Sequence, residues 1–214
     1  IERDFTAMLA RCGSLISVKP ISNARAGSVR YLAEGEVREE REDVSTPPAT
    51  VSLAAHARLQ ELRKTPAVSA AVVGDPALDM MLFPGLRPLA GARDEARRVA
   101  ALYPRRALLV GNAATRSALL DAVDGRDVLH FAGHAALNRI APEQSSLPLA
   151  AGGAVDEAAL SALDIAKLRL TSTRAVVLSA CDSGSGPQLS GAEPISLARA
   201  FLSAGTPTVV ASLW

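Results

Sequence analysis

Val128-Leu129-His130-Phe131-Ala132-Gly133-His134 is a short apolar run that breaks on a glycine followed by a histidine. A second run, Arg174-Ala175-Val176-Val177-Leu178-Ser179, leads into Ala180-Cys181-Asp182-Ser183-Gly184. Runs of this length, apolar throughout and closed by turn residues, read as strands buried on both faces. Outward from these two, the same signature recurs at residues 67–73, which Gly74-Asp75-Pro76 ends as a turn, at 107–110 and at 208–213. Residues 146–150 read as a short extra strand. Between the strands lie segments with helical spacing at 94–103, 115–123, 157–168 and 195–204. Thr115 suits an N-cap, and Gly125 and Gly205 suit the position after a helix end. Strands that alternate with helices predict an α/β fold, a mostly parallel sheet with helices on both faces. In such sheets reacting groups gather beyond the carboxyl ends of the strands. If the 128–131 and 174–179 strands are neighbours, His134 and Cys181 emerge side by side.

Residues 1–66 carry a different texture and read as an N-terminal lead-in to a core at 67–214. Residues 5–10 suit a helical turn and 28–33 a short strand. The stretch 37–44 holds a mixed-charge run expected on a solvated face. Ser45-Thr46-Pro47-Pro48 breaks the chain, and an amphipathic helix is expected at 52–64 before the Thr65-Pro66 boundary.

Composition narrows the function classes. The formal net charge is only +1 and no basic run occurs, so nothing electrostatic points to nucleic acid or an anionic membrane. No apolar stretch is long enough to span a bilayer. Two cysteines, Cys12 and Cys181, are too few for a disulfide framework and lack zinc-site spacing, which fits a reducing cytoplasm. In a metal site from His130, His134, Cys181 and Asp182, no close ligand pair has zinc spacing. No cofactor site is read, since Gly74-Asp75-Pro76 lacks the glycine spacing of a nucleotide loop. With Ile1 rather than Met at its head, the sequence is expected to lack its true start.

The chemistry available to His134 and Cys181 is nucleophilic. A thiol attacks a carbonyl as thiolate, and a histidine in reach can take its proton and return one to the leaving amine. The tetrahedral intermediate also needs donors, and backbone N–H groups at tight strand ends supply them, each contributing roughly 3–4 kcal/mol. Small residues flank both candidates: Ala132, Gly133 and Ala135 on one side, Ala180, Ser183 and Gly184 on the other. They leave room for a peptide backbone to approach. His130, inside its strand, reads as a packed residue that supports the site; His56 reads as surface, and Cys12 as structural or incidental.

Four blocks in order resemble one family. They are His130-Phe131-Ala132-Gly133-His134-Ala135, then Val177-Leu178-Ser179-Ala180-Cys181-Asp182-Ser183-Gly184, then residues 196–205, then Val209-Val210-Ala211-Ser212-Leu213-Trp214. Together they are similar to the CHAT domain, a caspase-like (clan CD) cysteine peptidase family often joined to tetratricopeptide repeats. The resemblance covers residues 67–214, and residues 20–66 more loosely. It implies a caspase-haemoglobinase fold and a cysteine endopeptidase that cleaves a protein substrate through a thioester. His134 then matches the base and Cys181 the nucleophile, 47 residues apart against about 50 in caspases. The backbone N–H groups of Ala135 and Cys181 match the oxyanion hole, and Ser179 and Asp182 the substrate pocket. Gly191-Ala192-Glu193-Pro194 resembles the family's Gly-Glu-Gly loop with Pro194 in place of its last glycine. The resemblance further implies a bacterial, cytoplasmic protein with a regulatory or repeat-containing partner or region. The family pattern continues past Trp214, and an apolar strand ending there would expose an edge. A downstream piece, such as a C-terminal small subunit, is therefore expected. Two other classes stay open: a catalytically silent caspase-like interaction module, and an acyl transferase or other thioester enzyme on the same sheet.

Overall fold

The computed structural model describes residues 29–33, 36–40, 57–58, 60–62, 64–138, 140–153, 157–180 and 197–211. Two short strands, β1 (Val29–Ala33) and β2 (Glu36–Glu40), pair antiparallel with Ala33 opposite Glu36. The expected charged face thus begins as a strand. Residues 57–58 and 60–62 are helical, inside the expected 52–64 segment. The elements that follow are β3 (Ser69–Pro76), α1 (Ala90–Ala100), β4 (Arg105–Gly111), α2 (Arg116–Val123), β5 (Val128–Ala132) and a 3₁₀ turn (Pro142–Gln144). After them come β6 (Ser146–Pro148), β7 (Ala159–Ser161), α3 (Ala162–Ala166), β8 (Ala175–Ser179), α4 (Leu197–Ser203) and β9 (Val209–Ala211).

Five of these strands form one sheet in the order β4-β3-β5-β8-β9, and every pairing in it is parallel. From β3 the chain crosses to one side to make β4, then returns over it to place β5 on the other side. The crevice between β3 and β5 is therefore the switch point where α/β sheets collect their chemistry, and β5 and β8 lie beside it. Alternation along each strand divides the core into two layers. Ala70 and Val72 of β3, Val128 of β5, Val177 of β8 and Val210 of β9 meet Ala96, Val99 and Ala100 of α1 on one face. On the other face Val73, Leu129, Phe131, Val176, Leu178 and Val209 pack with residues of α2, α3 and α4. Helices thus cover both faces, as the strand pattern predicts.

At the amino end of the sheet one carboxylate joins three strands. Asp127 accepts from the Val68 and Ser69 N–H groups at 3.0 and 2.9 Å and from the Ser69 hydroxyl at 2.7 Å. It also pairs with Arg174 at 2.8 Å. The buried Arg174 guanidinium in turn donates to the Leu62 and Thr65 carbonyls, both at 2.6 Å, which ties the lead-in to the base of β8.

Three boundaries differ from the sequence reading, each for a reason beyond local pattern. The helix expected from 94 starts at Ala90, although Leu89 offers no side-chain cap. Its cap is tertiary: buried Asp75 accepts the Leu89 N–H at 2.7 Å and holds Arg93 at 2.8 Å. The supposed turn Gly74-Asp75-Pro76 is instead the bulged end of β3, with Asp75 at φ 46° and Pro76 opposite Gly111. The helix expected over 157–168 divides into β7, which buries Leu160 against β6, and α3. The Ser161 hydroxyl accepts the Asp164 N–H at 3.1 Å and fixes the start of α3 there. Thr115 caps α2 as expected, accepting from the Ala118 N–H at 3.2 Å. The proposed turn at 5–10, Cys12, His56, Cys181, Asp182, Glu193 and the last residues of the 208–213 strand lie outside the described residues.

Candidate active site

β5 and β8 are neighbours and end in register, Ala132 opposite Ser179. The Gly133 N–H donates to the Ser179 carbonyl at 3.1 Å and carries the ladder one residue further. Gly133 is closely packed at this point: a Cβ there would stand 3.0 Å from the Phe131 ring and 3.3 Å from Pro76, so either neighbour would have to give. Three residues later Ala136 is caught by Ser146, each N–H bonding the other's carbonyl at 2.9 and 2.8 Å. His134 and Ala135 are thereby held as a two-residue crest between the sheet and β6. The Ala135 N–H, the expected oxyanion donor, has no acceptor among the described residues.

The half-buried His134 ring places Nε2 2.8 Å from the Arg87 carbonyl, in the segment that leads into α1. A carbonyl only accepts, so Nε2 carries the proton and donates it. Nδ1 is left with its lone pair, which is the form that a general base requires. Sequence reasoning missed Arg87, because the group is main chain and no residue type announces it.

Beneath the crest lies a second unpredicted group. Glu95 of α1 reaches the carboxyl ends of both strands: Oε1 is 2.8 Å from His130 Nε2, and Oε2 accepts from the Ser179 hydroxyl at 3.2 Å. His130 is wholly buried, as its strand position implies, and its Nδ1 has no partner. An unmade acceptor is less costly to bury than an unmade N–H, so the His130 proton sits on Nε2 and points at Glu95. Burial opposes the charge on Glu95, yet the bonds from His130 and Ser179, with the nearby Arg98 charge, hold its carboxyl below the usual glutamate range. The signal for Glu95 was present in the sequence: it lies one turn before Val99, a charged residue on the stripe that faces the sheet.

Of the expected site residues, His134, Ala135 and Ser179 come together at the β5–β8 ends. The Ser179 hydroxyl donates to Glu95 and its carbonyl accepts from Gly133. A cavity of about 350 Å³ lies toward β6 and β7, lined by Leu82, Phe83, Ser146 and Ser161 with the Arg116–Asp164 ion pair in its wall. It includes neither His134 nor Ser179. Among the described residues no helix is long and apolar enough to cross a membrane.

Residues 19–214 match the CHAT domain family. The chain belongs to that family. CHAT domains are caspase-like and related to the clan CD peptidases, in keeping with the parallel sheet described above. This CHAT domain is also 28% identical over 222 residues to tetratricopeptide repeat protein 28 of Mus musculus. That alignment covers 85% of the chain but 9% of the mouse protein, so the chain spans a small part of its curated relative.

Proposed function

We propose that this CHAT domain is a cysteine endopeptidase in which Cys181 is the nucleophile and His134 its base. The observation that carries the proposal is the bond from His134 Nε2 to the Arg87 carbonyl, which frees Nδ1 at the end of the strand beside the one leading to Cys181. Cys181 stands two residues beyond Ser179 in the chain, as His134 stands two beyond Ala132. Nδ1 takes the thiol proton, and the thiolate attacks the scissile carbonyl. The N–H groups of Ala135 and Cys181 hold the resulting oxyanion. Collapse breaks the C–N bond, the amine leaves with the proton from His134, and a thioester remains. Water then gives its proton to His134, attacks the thioester and releases the acid and the thiol. No cofactor enters these steps. Asp182, beside the nucleophile, favours a basic residue in the pocket, while the Ser179 hydroxyl, its proton committed to Glu95, can offer a substrate only an acceptor. The name of the mouse relative supports a regulatory repeat region as partner.

The test is labelling by a peptide-based electrophile. Cys181→Ala is expected to abolish labelling and cleavage with an unchanged melting curve. His134→Ala should slow Cys181 alkylation at pH 7 by up to about 30-fold, toward the small thiolate fraction of a free thiol with a pKa of about 8.5. Cleavage retained by the first variant removes Cys181 as the nucleophile, and alkylation unchanged in the second removes the pairing with His134; a wild type that neither labels nor cleaves leaves an interaction module.

A further inference from the structure

We propose that Glu95 is the positioning residue of the dyad, a single carboxylate that clasps the strand leading to His134 and the strand leading to Cys181. The inference rests on the peptidase reading and extends it. Its two contacts lie just upstream of the dyad: His130 is four residues before His134, and Ser179 two before Cys181. Packing does not call for a carboxylate here, because Ala96, Val99 and Ala100 already seat α1 on the sheet. Strand pairing does not call for it either, since β5 and β8 are in register over five residue pairs without it. What the carboxylate adds is a link between polar side chains of the two strands on one face, His130 in the middle of β5 and Ser179 at the end of β8. The segment that leads into the same helix also supplies the Arg87 carbonyl that orients His134, so both contacts to the site come from one stretch of chain. Charged and titratable groups facing Glu95 are His130 from β5 and Arg98 from its own helix, with the Ser179 hydroxyl from β8.

A positioning role and a charge role make opposite predictions. Removing an anion near the site favours a thiolate and lowers the pH at which Cys181 becomes reactive. Loosening the dyad does the reverse, raising that pH toward the free-thiol value of about 8.5. The experiment measures the pH dependence of iodoacetamide alkylation at Cys181, resolved from Cys12 by peptide mass mapping. Wild type is compared with Glu95→Ala, Glu95→Gln, His134→Ala and the Glu95→Ala/His134→Ala double variant. Positioning requires that Glu95→Ala slow the reaction at pH 7 about 10-fold and raise its midpoint, with Gln, which still accepts from His130, recovering to within about 3-fold. It also requires that Glu95→Ala add nothing once His134 is gone. A downward midpoint, or equal slowing with and without His134, overturns the assignment. So does a lowered melting temperature with an unmoved pH profile. If Glu95→Ala matches wild type while His134→Ala is slow, the dyad stands and Glu95 falls. If His134→Ala itself matches wild type, the peptidase reading falls and takes the clasp with it. Should Glu95→Ala not fold, Ser179→Ala cuts one arm of the clasp alone; a raised midpoint supports the proposal, and an unchanged profile refutes it.

Discussion

Gly74→Ala tests how α1 is seated on the sheet. A Cβ built on Gly74 would lie 2.3 Å from the Ala96 Cβ and 3.0 Å from the Ala92 carbonyl oxygen. Carbon atoms come into favourable contact near about 3.5 Å, so α1 would have to back away by about 1.2 Å. Overpacking of this kind costs about 1–3 kcal/mol. With about 2 kcal/mol lost, a domain of this size should melt ~4–8 °C lower. Ala96→Gly removes the nearer obstacle and alone costs about 1 kcal/mol of helix propensity. Independent effects would sum to about 3 kcal/mol in the double variant. Because the two Cβ atoms collide, the double variant should instead lose about 1–2 kcal/mol, a coupling of at least about 1 kcal/mol. Urea denaturation of the four proteins measures all of these terms. A Gly74→Ala protein as stable as wild type, or strictly additive losses, would show that α1 does not sit where this packing puts it.

Asp127→Asn should destabilise by about 2–3 kcal/mol at neutral pH, because it strips Arg174 of its partner and two N–H groups of a charged acceptor. Burial works against the Asp127 charge, but hydrogen bonds from Ser69, Val68 and Arg174 prevail and keep its carboxyl below the usual aspartate range. A depressed carboxyl stabilises the fold above its unfolded value and loses that contribution as pH falls through the folded one. The gap between wild type and Asp127→Asn should therefore close below about pH 4; a gap independent of pH would contradict the assignment. Ser161→Ala removes the cap of α3, whose hydroxyl also donates to Asp164 at 2.7 Å. It should cost about 1 kcal/mol in urea midpoint terms, and a loss under about 0.3 kcal/mol would mean that the β7–α3 junction is fixed by packing alone.

The central strands were legible because they are buried on both faces and so are apolar without interruption. Residues 128–132 and 175–179 needed no partner to be recognised. Their adjacency was not in the local pattern, since register is a property of two segments, and only the chemistry of Gly133-His134 and Cys181 hinted that the strands meet. Helix starts fared unevenly for a physical reason. Thr115 caps its own helix and is visible in sequence, whereas α1 is capped by Asp75 from a strand fourteen residues earlier. The 157–168 segment misled because Ala159, Ala162, Leu163 and Ala166 keep a helical i, i+3, i+4, i+7 spacing even where residues 159–161 pair as a strand. At the site, His134 and Ser179 could be picked out by type and place. Glu95 could be suspected only as a charge on an apolar stripe, and its two partners lie 35 and 84 residues away.

The acceptor that orients His134 is a carbonyl of the main chain, and that shapes what genetics can detect. Replacing the exposed Arg87 side chain leaves the carbonyl in place, so an alanine scan passes over the position in silence. The vulnerable residue is its neighbour. Pro88 bars Arg87 from helical backbone angles and so limits where the carbonyl can point. A proline with no contact of its own to the site thereby becomes the handle by which the tautomer of a histidine 46 residues away can be inherited or lost.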